Sequence, residues 1–123
     1  LMAYSEVIKV LDEVTATTTS VAVNIEDAKK VVLVCNRADH DSGSSAFTAT
    51  VSVDETNYVD YKKWISNANN TNQQGETRVT TLTLAANGTD FLTMDPDDGF
   101  KDIKVKVTED SDGTHSAWLF IQR

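Results

Sequence analysis

Apolar and polar residues alternate with a period of two through most of this sequence, which restricts those segments to strands with one dry and one wet face. Phe47, Ala49, Val51 and Val53 alternate with Thr48, Thr50, Ser52 and Asp54. Ile103, Val105 and Val107 alternate in the same way with Lys104, Lys106 and Thr108, and Thr80, Leu82 and Leu84 lie opposite Val79, Thr81 and Thr83. Val21, Val23 and Ile25 repeat the pattern over a shorter stretch. Residues 7–14, 58–65 and 90–94 are weaker strand candidates. Sixteen threonines suit such strands, because a β-branched side chain fits the pleat and its hydroxyl faces water.

Two segments depart from the alternation by being apolar on both faces: Val31-Val32-Leu33-Val34-Cys35 and Ala117-Trp118-Leu119-Phe120-Ile121. A strand of that kind is covered on both sides, either within its own chain or by another one. In the last segment Trp118 and Phe120 share one face while Leu119 and Ile121 share the other. Burying a Trp–Phe pair is worth several kcal/mol, on the order of 25 cal/mol per Å².

The connections carry turn chemistry. Asp39-His40-Asp41-Ser42-Gly43-Ser44-Ser45, Asn87-Gly88, Asp95-Pro96-Asp97-Asp98-Gly99 and Asp110-Ser111-Asp112-Gly113 all join strand candidates, and residues 66–77 form a polar loop by composition. Helical pattern is confined to one turn at Ile25-Glu26-Asp27-Ala28-Lys29-Lys30. The stretch Val14-Thr15-Ala16-Thr17-Thr18-Thr19 resists helix, so residues 1–19 read as an extended N-terminal arm or edge strand. The expected fold is all-β: a single antiparallel β-sandwich domain over residues 1–123 with about 8 strands, jelly-roll-like or immunoglobulin-like. Local pattern does not choose between those two strand orders.

Nineteen acidic residues against eleven basic ones give a net charge of −8, a field that repels phosphate and disfavours a nucleic-acid partner. The apolar runs fall far short of the ~20 residues a membrane span needs. Leu1-Met2-Ala3-Tyr4-Ser5 has neither a basic nor an apolar signal-peptide region. Cys35 stands alone and forms no internal disulfide.

Chemistry is sparse. His40 and His115 read as turn residues, and no His-x-His or Cys-x-x-Cys spacing supports a metal site. Cys35 sits in an apolar run, where thiols are inert, and Ser42, Ser44 and Ser45 lack a nucleophile-elbow context. The acidic groups Asp95, Asp97, Asp98 and Glu109, Asp110, Asp112 read as turn formers, without the bidentate glutamate of a calcium loop. No catalytic residue, cofactor or metal is expected, and a hydrolase or metal-dependent lyase is disfavoured. The informative side chains are aromatic and apolar. Trp118 and Phe120, with Val7, Ile8 and Val10 from the first strand candidate, are candidate subunit-interface residues. Tyr58, Tyr61 and Trp64, beside Asn67, Asn69 and Gln73, are candidate surface-binding aromatics.

From Thr19 onward the chain resembles small virion accessory proteins of tailed bacteriophages. The residues that carry the resemblance are Lys30-Val31-Val32-Leu33-Val34-Cys35-Asn36-Arg37-Ala38-Asp39-His40, Ser42-Gly43-Ser44-Ser45-Ala46-Phe47 and Val51-Ser52-Val53-Asp54. Further matches are Tyr61-Lys62-Lys63-Trp64-Ile65, Asn69-Asn70-Thr71-Asn72, Thr77-Arg78-Val79 and Asp112-Gly113-Thr114-His115-Ser116-Ala117. The resemblance implies a capsid decoration (cement) protein: a β-sandwich or jelly-roll module, homo-oligomeric and often trimeric. Such a protein binds the major capsid protein or another virion protein at the outer surface of the capsid and is made in the host bacterial cytoplasm. It carries no functional residue across. The alternative is a carbohydrate- or host-surface-binding β-sandwich module of a tail or fibre, built on Tyr58, Tyr61 and Trp64.

Overall fold

The computed structural model describes residues 6–66, 75–94, 99–109 and 112–123. Their strands are β1 (Glu6–Val14), β2 (Thr18–Thr19), β3 (Val23–Asn24), β4 (Lys30–Ala38), β5 (Ser45–Ser52), β6 (Val59–Asp60), β7 (Lys62–Ser66), β8 (Gly75–Val79), β9 (Thr81–Leu84), β10 (Gly88–Met94), β11 (Asp102–Glu109) and β12 (Thr114–Gln122). The fold is all-β, with two antiparallel sheets. The first has the order β1-β12-β4-β10. In the second, β11 and β5 pair at the centre, β2 and β3 share the outer edge of β11, and β6 and β9 share the outer edge of β5. β7 and β8 form a separate antiparallel pair.

The pairing is nested. β1 pairs with β12, β2 and β3 with β11, β4 with β10, and β5 with β6 and β9. The chain is thus one long hairpin whose successive rungs fall alternately in the two sheets.

Alternation explains the core. Phe47, Ala49 and Val51 of β5, Ile103, Val105 and Val107 of β11, and Leu82 and Leu84 of β9 are buried. They join Val31, Leu33 and Cys35 of β4, Ala117, Leu119 and Ile121 of β12, and Leu11 of β1 in a single cluster fed by both sheets. Each fully buried Val, Leu, Ile or Phe contributes about 1.5–3 kcal/mol relative to exposure.

The interruptions have local causes. The edge of β11 is lined by two short strands because Ser20 takes a rung of the ladder with its side chain: Ser20 N–H donates to the Val105 carbonyl, and Val105 N–H donates to Ser20 Oγ. Val21, expected on the dry side with Val23 and Ile25, is therefore turned out and 80% exposed, while the other two are buried. The single helical turn anticipated at residues 25–30 is instead a tight turn, closed by Ala28 N–H to the Ile25 carbonyl at 3.0 Å, with Asp27 in the left-handed region at φ 65°.

Residues 6–14 form an edge strand rather than a free arm. The register of β1 against β12 slips after Lys9 and again after Leu11, and Glu13 adopts φ 52°. A bulge sets two residues against one, so Val10 and Leu11 both turn toward the core. Ile8 and Val10 pack against the core cluster, and of the three interface candidates on this strand only Val7 stays outside it, 54% exposed.

Candidate interaction face

The two-sided strands anticipated from sequence are β4 and β12, and they lie side by side at the centre of the first sheet. Their inward sides fill the core. Their outward sides continue across all four strands. Register places Lys9, Trp118, Val34 and Phe91 in one cross-strand row, and Val7, Phe120, Val32 and Thr93 in the next. Directly opposed side chains on one sheet face are about 4.5–5.5 Å apart at Cβ, so the six apolar members form one continuous patch. Val32, Val34, Trp118 and Phe120 are half-buried, while Phe91 is 60% exposed. Lys9 reaches over the indole of Trp118, 5.3 Å from its centroid, and is itself paired with Asp12 at 2.8 Å.

The outer face of the second sheet contrasts with this one. Thr48 and Thr50 of β5, Lys104, Lys106 and Thr108 of β11, and Thr81 and Thr83 of β9 cover it. One sheet therefore turns wet hydroxyls and ammonium groups outward, and the other turns rings and valines.

Phe91 completes a face of which sequence reasoning named Trp118, Phe120 and Val7 as interface candidates and Val32 and Val34 as part of a two-sided apolar segment. The signal was present in β10. Leu92 and Met94 occupy the inward phase, which places a phenylalanine on the outward phase where a polar residue is expected.

The aromatic candidates separate. Tyr58 is half-buried, its ring lies 4.2 Å from Lys104 Nζ, and lost hydration together with the Asp102 charge raises its hydroxyl pKa. Tyr61 is 3% exposed and belongs to the core, so it presents no ring for a ligand to stack on. The Trp64 side chain, Asn67, Asn69 and Gln73 lie outside the described residues.

A buried polar network occupies the end of the fold where the β4–β5, β9–β10 and β11–β12 connections meet. Arg37 is 1% exposed. Its Nη1 donates to the carbonyls of Gly43 and Leu84, and its Nη2 to the carbonyls of Ser42 and Asp112 and to Asp112 Oδ1. Among the described residues Nε has no hydrogen-bond partner, and a Cβ at Gly113, where φ is +119°, would stand 2.8 Å from it. His115 is fully buried. Its Nδ1 lies 3.0 Å from the Val14 carbonyl, which only accepts, so Nδ1 donates. Nε2 is 2.6 Å from Ser45 Oγ, and the ring meets Phe47 edge-on at 6.0 Å.

Ser45 and His115 have the separation of a nucleophile and its base. Both are 0% exposed, and the contact ties β1, β5 and β12 together. Cys35 is equally inaccessible, and burial, with a smaller contribution from the Asp90 charge, pushes its thiol up to about 12. His40 donates its backbone N–H to Asn87 Oδ1 in the turn where sequence placed it. Among the described residues no group of three or more His, Cys, Asp or Glu side chains is arranged to hold a metal ion, and no helix is long and apolar enough to cross a membrane. Asp95, Asp97, Asp98 and Asp110 lie outside the described residues.

Asp112 spends its carboxylate on the loop opposite. Oδ1 accepts from Asp41 N–H and Oδ2 from Ser42 N–H, each at 3.0 Å. The Asp41 N–H foremost, with the Ser42 N–H and hydroxyl and the Arg37 guanidinium, holds this carboxyl below its usual pKa despite partial desolvation. A depressed carboxylate pKa adds stability that is present above the unfolded value, about 3.9, and disappears as pH falls through the folded value. Urea midpoints of the wild type are therefore expected to drop more steeply below about pH 4 than those of Asp112→Asn. Parallel acid profiles for the two proteins would count against this role for Asp112.

No family model, no curated protein and no solved structure matches the chain.

Proposed function

We propose that this chain is a non-enzymatic virion protein of a tailed bacteriophage, a self-associating module that binds and stabilises the capsid from outside. The observation that carries the reading is the apolar outer face of the first sheet on a chain of net charge −8. Contiguous exposed apolar surface on a small protein marks a site of macromolecular contact. The net negative charge of the chain suits the outside of a particle whose nucleic acid lies within.

Strand order supports the jelly-roll form of the sandwich. With β2 and β3 taken as one interrupted strand, and β6 and β9 as another, each sheet is four strands wide. The nested pairing is then that of a long hairpin rolled across two sheets. The resemblance of residues 19–123 to virion accessory proteins points the same way.

The test uses the tailed phage whose genome encodes the chain. Gradient-purified virions are probed for the protein by immunoblot, and the purified protein is co-sedimented with emptied heads. Saturable pelleting with the heads is the expected result. Absence from virions together with protein left in the supernatant at every head concentration would overturn the reading.

A further inference from the structure

We infer that the outer face of the first sheet is occupied by the same face of a second copy, pairing two chains about a twofold axis. This deepens the self-association proposed above by naming the partner of that face.

Charge permits a second copy as the partner. Two copies at −8 each repel wherever their carboxylates approach. The rows Lys9–Trp118–Val34–Phe91 and Val7–Phe120–Val32–Thr93 hold no carboxylate, and their one cation, Lys9, is already paired with Asp12. The patch is bordered by Asn36 and Thr89, which bond each other at 2.8 Å, and by Lys30 on the opposite side. An uncharged apolar centre within a polar rim is the anatomy of an interface core.

Area is sufficient. Three nine-residue strands and the seven-residue β10, at about 3.4 Å per residue and about 4.8 Å between strands, give a face of roughly 29 by 19 Å. Two such faces bury on the order of 1,100 Å² together, above the ~1,000 Å² a specific interface needs.

Symmetry follows from what else the surface offers. A ring of copies requires a second, different patch that complements the first. Among the described residues the other exposed large hydrophobics are Val21, Val53 and Val59, none of them in a first-sheet strand, and the outer face of the second sheet is threonine and lysine. The surface that best complements the patch is therefore its own copy. Sheets stack face to face about 10 Å apart with interdigitating side chains. The product is a dimer, in place of the trimer that the resemblance implies.

The experiment is light scattering on the purified chain across a concentration series in 0.15 M and 1 M salt, each figure about a working condition. The wild type is expected at about twice the monomer mass of 13.5 kDa, and the pair should persist at high salt because screening relieves its net repulsion. Phe91→Glu and Val7→Glu alter side chains more than half exposed, so the fold survives, as circular dichroism will verify. Each sets like charges into a dry contact and is expected to weaken pairing at least ~100-fold. Thr83→Glu, on the second sheet's outer face, adds the same charge and should leave the dimer intact. A wild type that stays monomeric, a threefold mass, or folded Glu variants that still pair would each overturn the inference. Co-sedimentation with emptied heads separates the two claims. A dimer that ignores heads sustains the pairing and defeats the capsid reading. A monomer whose head binding is lost on Phe91→Glu assigns the face to the capsid and defeats the pairing.

Discussion

Replacing Arg37 with methionine is expected to lower the unfolding free energy by about 3–5 kcal/mol, read as a shift of the urea midpoint followed by tryptophan fluorescence. Methionine matches much of the volume of arginine but donates nothing. The carbonyls of Gly43, Leu84, Ser42 and Asp112 would lose their shared donor in a site the solvent scarcely enters. Two of those acceptors lie in the β4–β5 connection, one ends β9 and one lies in the β11–β12 connection, so the guanidinium is the common fastening of segments far apart in sequence. Arg37→Lys is expected to recover only part of the loss, because a single ammonium nitrogen lacks the planar fork that reaches acceptors on two sides. A midpoint for Arg37→Met within experimental error of the wild type would show that the loops hold without it.

The second large effect lies one sheet pairing away. Leu119→Ala is expected to cost about 2–5 kcal/mol, because Leu119 is 0% exposed at the centre of the core and its neighbours on β4 and β1 cannot collapse into the space. Val34→Thr, on an adjacent strand but facing outward, is expected to cost less than about 1 kcal/mol of folding stability. The contrast tests whether the two sides of these strands do different work, the inner one in folding and the outer one in association. Equal destabilisation by the two substitutions, measured on dilute protein, would place both sides in one core.

Much of this fold was legible in the alternation. The inward phase of β5 and β11 follows directly from Phe47, Ala49 and Val51 and from Ile103, Val105 and Val107. The doubly apolar character of β4 and β12 located the centre of the first sheet. Even Arg37 stands in the inward phase after Val31, Leu33 and Cys35, and His115 stands in phase with Ala117 and Leu119.

What alternation lacks is any record of distant partners. An inward arginine is acceptable only because carbonyls from residues 42, 43, 84 and 112 converge on it, and no local pattern announces that convergence. Ile8 and Val10 were grouped with Val7 because all three are apolar on one short segment. Strand alternation alone turns Ile8 and Val10 inward while Val7 faces out, and the bulge after Lys9 brings Leu11 inward as well, which no apolar signature announces. Tyr61 reads as a surface ring beside a polar loop, yet it is buried because its backbone N–H donates to the Ala49 carbonyl and draws it against β5. Strand order left no trace in the sequence at all, since it is fixed by which apolar faces meet.

The nested pairing also sets a timetable for biosynthesis. β12 fills the slot between β1 and β4, and among the described strands it leaves the ribosome last. Until it emerges, β1 lacks the strand it zips against and must wait, solvated, through the translation of roughly a hundred residues at ~5–20 residues per second. Closing so wide a loop is slow, and during that interval the valines and leucines of β1 and β4 are open to misassociation.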